Sequence, residues 1–246
     1  MKSWWSFPLR KETLAGRLVY QPEEGYRYSL EAFLLASFVN LRPRERALEL
    51  GAGCGIVTLL LAWRHPENLF WGLEIQPPLL ACFARNVREN GLLSRVLPVA
   101  GDVKAPPFKP GLFEVVYTNP PFYAPGEGRL SPDLQERLAR HEILATLEDF
   151  FSAAAKLLRE RGRFYLVCTA RRLAEALSSL RGFRLEPKVL RLVHSYPGDQ
   201  GRLFLLEAVK GGGKELRVLP PLFVYTRKGG PYTTEVQEMF ALPQAS

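Results

Sequence analysis

The sequence predicts an α/β fold: a seven-stranded, mostly parallel sheet with helices on both faces and an antiparallel hairpin at one edge. Three observations carry this. From Arg46 onward, short apolar runs (R-A-L-E-L, L-F-W-G-L-E-I, R-V-L-P-V-A, F-E-V-V-Y-T and G-R-F-Y-L-V-C) alternate with helical patterns. Two later apolar runs, 183–193 and 202–209, lie close together with no helical pattern between them, so they pair antiparallel. The chain has 246 residues, 47% hydrophobic and 24% charged, which suits one α/β domain with a sizeable core.

Taken in order, residues 12–20 read as a short strand or hairpin. A helix follows, with Ser29 as its N-cap and Leu30, Phe33, Leu34 and Phe38 at helical spacing. Residues 1–45 are expected to pack on a core formed by 46–246, the whole making one structural domain. Residues 55–64 predict a helix closing before Pro66, and the next helix has Pro near its start and Gly91 as its C′ residue. Leu147 to Glu160 predicts an amphipathic helix and Arg171 to Leu180 another. The polar stretch 123–140 is long for a loop inside a compact domain, and such loops are usually functional or disordered. Near the end, K-G-G-G-K-E-L-R precedes a predicted hairpin, L-F-V-Y-T-R-K-G-G-P-Y-T-T.

The formal charge is +8 and the pI near 9.5, a balance that favours polyanions, nucleic acid first and anionic membrane second. Cys54, Cys82 and Cys168 are far apart and lack C-x-x-C spacing, so neither a disulfide framework nor a metal site is expected, and the compartment reads as reducing and cytoplasmic. The opening M-K-S-W-W-S-F-P-L-R has no long apolar core, so no signal peptide is expected, and no stretch is apolar enough to span a bilayer. His65, His141 and His194 show no ligand spacing and read as structural or surface, with His141-Glu142 a weak substrate-side candidate.

The first core strand runs into Glu49-Leu50-Gly51-Ala52-Gly53-Cys54-Gly55, which opens a helix. Glycines there permit a tight turn and a close backbone approach to a ligand. The dinucleotide fingerprint is G-x-G-x-x-G/A; here Ile56 stands at its last position, and Glu49 would repel a diphosphate. Both departures favour a ligand with positive charge and no phosphate, and S-adenosylmethionine fits. Glu74, ending the second strand about twenty residues on, can accept from ribose hydroxyls, with Ile75 beside it. Asp102, after the third strand and followed by Val103, can accept from the adenine amino group. Acids at successive strand ends converge on one crevice, because ligands in such sheets bind beyond the carboxyl ends of the strands. A plain strand–helix turn with solvated acids is the bland alternative. Tyr28 and Ser29, just before the first helix, are candidates for the methionine end of the cofactor.

The fourth strand ends in Asn119-Pro120-Pro121-Phe122. A nucleobase amino group is a poor nucleophile because its lone pair is delocalised into the ring. The Asn119 side-chain oxygen and the Pro120 carbonyl can accept its two N–H bonds, which favours the charge that develops on nitrogen during methyl transfer. Phe122 can stack on the ring face, worth about 1–3 kcal/mol. A Pro-Pro loop stop flanked by core aromatics is the alternative. Arg129, Arg137 and Arg140 in the long loop, and Lys210, Lys214, Arg217, Arg227 and Lys228 near the end, are candidates for the RNA backbone.

E-L-G-A-G-C-G followed by N-P-P-F resembles class I, Rossmann-like methyltransferases that modify exocyclic amines and amides. Q-P-E-E-G-Y-R-Y-S-L-E-A-F-L-L-A, R-H-E-I-L-A-T-L-E-D-F and L-R-V-L-P-P-L-F-V-Y narrow the resemblance to the bacterial tRNA(Val) adenine-N(6) methyltransferases, over nearly the whole chain. The resemblance implies methyl transfer from S-adenosylmethionine to the adenosine just 3′ of the anticodon, through Asn119, Pro120, Pro121 and Phe122, with tRNA as partner and no obligate protein partner. Many members carry Tyr where this chain has Phe122, which keeps stacking and loses a hydroxyl. Three rivals stand beside it: a guanine amino methyltransferase of ribosomal RNA, a glutamine amide methyltransferase, and a non-catalytic RNA-binding module. Only about 45 residues precede the core, too few for the helical N-terminal domain of the glutamine enzymes.

Overall fold

A computed structural model describes residues 9–23, 30–120 and 145–243. Among them an N-terminal hairpin, β1 (Leu9–Leu14) and β2 (Arg17–Pro22), leads to helix α1 (Leu30–Phe38). The βα alternation then runs β3 (Arg46–Leu50), α2 (Ile56–Arg64), β4 (Leu69–Glu74), α3 (Pro77–Glu89), β5 (Val96–Ala100) and β6 (Phe113–Thr118). After residue 144 come α4 (Leu147–Leu157), β7 (Leu158–Thr169), a 3-10 turn (Ala170–Arg172) and α5 (Leu173–Leu180). The long pair β8 (Leu185–His194) and β9 (Gly201–Lys210) follows, then short β10 (Arg217–Val218), β11 (Leu222–Phe223) and helix α6 (Thr234–Phe240).

The main sheet has the order β10-β8-β9-β7-β6-β3-β4-β5, with β11 also on β8. Strands β3 to β7 are mutually parallel; β9 runs antiparallel between β7 and β8. The seven expected strands are all there, and β10 and β11 add to the expected hairpin edge by pairing parallel to β8. The predicted terminal hairpin closes through one antiparallel bridge, Tyr225 to Tyr232.

Side chains alternate between two cores, as a pleated strand buried on both faces requires. Along β7, Tyr165 and Val167 enter the core shared with α1, α2, α3 and α6, whereas Phe164, Leu166 and Cys168 enter the one shared with α4 and α5. Helix α3 starts with Pro77 and Pro78 and ends in a Schellman motif: Leu92 N–H donates to Val87 O (3.0 Å) and Gly91 N–H to Arg88 O (3.1 Å). Helix α4 opens with a capping box between Thr146 and Asp149. It ends at Leu157 rather than the expected Glu160, because Leu158 turns extended and pairs with Phe113 to begin β7. The β1–β2 hairpin docks on α3 through two side-chain amides that read β2 like a neighbouring strand: Asn86 binds the backbone of Tyr20, and Asn90 that of Leu18.

Candidate active site at the carboxyl ends of β3, β4 and β6

The turn after β3 is built around one aromatic ring. Gly55 has φ +82°, and a Cβ there would fall 2.0 Å from the Phe83 ring of α3. At Gly72 on β4 a Cβ would meet the same ring at 2.3 Å. Phe83 therefore fills the space that two missing side chains leave, and draws α3 against the turn. The start of the turn is tied to β4, since the N–H groups of Gly51 and Ala52 both donate to Leu73 O, at 3.0 and 2.9 Å. Its far side is held by Asn86, fully buried, whose Nδ2 donates to Cys54 O at 2.9 Å.

The three predicted acids have different environments. Glu74 is 4% exposed, and its two oxygens accept from Gly53 N–H (2.7 Å) and Gln76 N–H (2.8 Å). A carboxylate offers about four lone-pair sites, so those two bonds leave capacity for ligand hydroxyls. Burial raises its pKa against the lowering effect of its backbone bonds. Glu49 lies deeper, at 2% exposure, and its Oε2 is engaged by Thr58 through N–H (3.1 Å) and hydroxyl (2.5 Å). The Thr58 hydroxyl also meets Tyr117 OH at 2.8 Å, which completes a buried chain across α2, β3 and β6. Burial pushes Glu49 up to about 8; the Thr58 bonds oppose this and the Glu74 charge adds to it. Asp102 is half-buried and uses Oδ1 to cap its own loop, accepting from Lys104 N–H at 2.9 Å. Ile75 is exposed at 39%, and Val103 is buried.

Asn119 follows Thr118, which pairs with Leu50 across β6 and β3, and whose hydroxyl donates to Leu50 O at 2.8 Å. This register sets Asn119 beside the glycine turn. Its Oδ1 is shielded from solvent and accepts no hydrogen bond among the described residues. An unmet buried acceptor costs about 1–3 kcal/mol, so the position is suited to a donor from outside the chain. Pro120 beside it is buried.

These observations test the fit of S-adenosylmethionine. Two buried carboxyl groups with raised pKa values lie at the ends of adjacent strands, where a cation would relieve both. The glycine turn allows the close backbone approach that such a ligand needs. The residues fit.

The remaining predicted residues divide by position. Tyr28, Ser29, Pro121, Phe122, Arg129, Arg137, Arg140 and the His141-Glu142 pair lie outside the described residues. Arg227 and Lys228 follow β11, which is parallel to β8 and so ends on the same side of the sheet as Asn119. Lys210 is at the opposite end, because β9 is antiparallel; its Nζ donates to Leu158 O at 2.7 Å and sits 3.9 Å from Glu160. Lys214 follows it there, and Arg217 lies midway along the β8 edge, opposite Val189. The sequence reading missed Phe83, Asn86, Thr58 and Tyr117, which shape the site from below. Only the small residue at Gly72 hinted at Phe83.

Known proteins resemble this chain in sequence and in fold. A model of the methyltransferase small domain matches residues 31–182, well over half of the chain. A curated tRNA1(Val) (adenine(37)-N6)-methyltransferase from Porphyromonas gingivalis is 28% identical over 189 residues, 74% of this chain and 73% of that protein. One of the same name from Dyadobacter fermentans is 24% identical over 224 residues, covering 90% and 91%. Among solved structures, a predicted O-methyltransferase from Agrobacterium tumefaciens superposes with a TM-score of 0.70 at 21% identity, over 85% of this chain and 94% of that one. A geranyl diphosphate methyltransferase in complex with SAM gives 0.54 at 14% identity, over 73% and 84%. These two likenesses show a shared Rossmann-like fold. The chain belongs to the methyltransferase small domain family.

Proposed function

We propose that this protein transfers a methyl group from S-adenosylmethionine to the exocyclic amino group of an adenosine in tRNA, the one just 3′ of the anticodon of tRNA(Val). One observation carries the chemistry: a buried side-chain oxygen, Asn119 Oδ1, has no donor among the described residues at the carboxyl end of β6. The curated names of its relatives support the choice of base and of tRNA. In the cytoplasm, where tRNA is modified, bound S-adenosylmethionine supplies an electrophilic methyl on a sulfonium.

The chain's own residues do the rest. The Gly51–Gly55 turn admits the cofactor close to the backbone, and Glu74 accepts from the ribose hydroxyls with Ile75 against the adenine. Asp102 and Val103 complete the adenine side, and Glu49, held protonated by burial, can ionise beneath the turn when the cationic cofactor binds. Asn119 Oδ1 accepts one amino N–H of the target base and the Pro120 carbonyl accepts the other. Two accepted protons draw electron density onto nitrogen and stabilise the positive charge it gains. Holding the amine in line contributes several kcal/mol through orientation. The N-methyl ammonium product is acidic enough to lose its proton to water, so no strong base is required.

The test is incubation of the protein with isotopically labelled cofactor and total small RNA, followed by nucleoside analysis. N(6)-methyladenosine in the tRNA fraction is the expected product. N(2)-methylguanosine, or no labelled nucleoside, overturns the reading.

A further inference from the structure

We propose that the turn at residues 226–231 is a docking element that clamps the RNA phosphate backbone outside the reacting nucleotide. The proposal rests on the tRNA reading above. Arg227 and Lys228 form the tip of this turn; both are exposed and make no ion pair among the described residues. The tip is nevertheless rigid. Thr226 N–H donates to Pro231 O (3.0 Å), Gly230 N–H to Arg227 O (2.9 Å), and Thr233 N–H to Val224 O (3.0 Å). Behind it the Tyr225 and Tyr232 rings stack at 5.0 Å and 16°. Below it Glu235 of α6 receives both guanidinium arms of Arg191, at 2.6 and 2.9 Å. Two cations thus stand on a turn whose backbone is fixed, with no ion-pair partner among the described residues, and a preorganised backbone lowers the entropic cost of binding an anion.

Position identifies the anion. Strand β11 lies four places from β6 through β7, β9 and β8, and strands are spaced about 4.8 Å, so the turn stands about 19 Å from Asn119 on the same side of the sheet. Arg171, just beyond the carboxyl end of β7, lies between them, exposed and also without an ion pair among the described residues. A line of cations leading away from a base-sized site matches a strand of phosphates leaving a flipped nucleotide. Tyr232, 38% exposed beside the tip, adds a stacking face that an acidic protein would not need.

The test measures tRNA affinity by fluorescence anisotropy across a salt series for the wild type and R227E/K228E. R44E/K109E makes the same change in net charge at exposed positions before β3 and β6, at the opposite end of the sheet, and serves as control. The turn variant is expected to bind tRNA at least tenfold more weakly, with a salt slope shallower by one to two. Its KM for tRNA should rise while kcat at saturating tRNA and calorimetric cofactor affinity stay at wild-type values. Affinity and slope equal to wild type, or an equal loss in the control, overturns the docking turn. If the wild type yields N(6)-methyladenosine in tRNA and the variant binds normally, the docking proposal alone falls. If the wild type neither binds nor methylates tRNA, both fall.

Discussion

The two ends of the central sheet are built on opposite terms. At the amino ends, charges are matched inside the protein. Glu114 receives Arg46 at 2.8 and 3.1 Å and faces Arg159 at 3.4 Å; burial pushes its carboxyl up, and the Arg46 bonds and both Arg charges outweigh this and hold it low. Glu45 holds Arg163 in a nearly buried pair, and Glu160 faces Arg184 and Lys210. At the carboxyl ends, beside the matched pairs Arg172–Glu175 and Arg202–Asp199, several polar groups keep capacity that the described residues do not use. Two buried acids have raised pKa values, one buried amide oxygen has no donor, and exposed cations at 171, 227 and 228 make no ion pair among the described residues. One end contributes stability, and the other holds unmet interactions that a ligand can satisfy. A protein can tolerate such a debt where the rest of the structure fixes the geometry.

The largest break in this contrast should come from Asn119→Ala. Methyl transfer is expected to fall at least a thousandfold in single-turnover assays, with the melting temperature unchanged or raised, since an unmet acceptor is removed. Next is Arg163→Met at the other end. It strands the Glu45 carboxylate and should cost about 3 kcal/mol in urea unfolding, while the kcat of the folded protein stays at the wild-type value. A large loss of turnover in that variant would erase the distinction between the ends. Glu74→Ala should weaken S-adenosylmethionine binding at least tenfold by calorimetry, and unchanged affinity would remove Glu74 from the site.

A further test sharpens the contrast through pH. Glu49 titrates near 8 in the folded protein against an ordinary value of 4.5. The folded state therefore binds the extra proton between those values, and the contribution of Glu49 to stability is lost as pH rises from about 4.5 to 8. Glu49→Gln should flatten that part of the stability profile, by an amount of order a few kcal/mol. A profile of wild-type slope would show that the carboxyl is not the titrating group.

Much of this was legible in the chain. The glycine turn, Glu74 and Asn119-Pro120 stand at the ends of apolar runs whose order already implies a parallel sheet, so their convergence follows from topology. What supports them was not legible. Thr58 and Tyr117 are nine and 68 residues from Glu49, and Asn86 is 32 residues from the carbonyl it holds, so only folding brings them together. The basic candidates near the end were sorted by strand direction. Two adjacent strands joined by a short turn must run antiparallel, which returns Lys210 to the amino end while Arg227 and Lys228 go to the site end. Charge alone could not separate them. The end of α4 was misjudged by three residues because R-E-R-G continues a helical charge pattern, whereas pairing of Leu158 with Phe113 ends the helix sooner.

The most direct test of the central claim, that Asn119 grips the target amine and does not merely complete the cofactor pocket, is a calorimetric titration of S-adenosylmethionine into Asn119→Ala. The account predicts an affinity within about threefold of wild type, well under the 1.4 kcal/mol of a tenfold change, in a protein that no longer transfers methyl groups. Cofactor binding lost together with activity would contradict it.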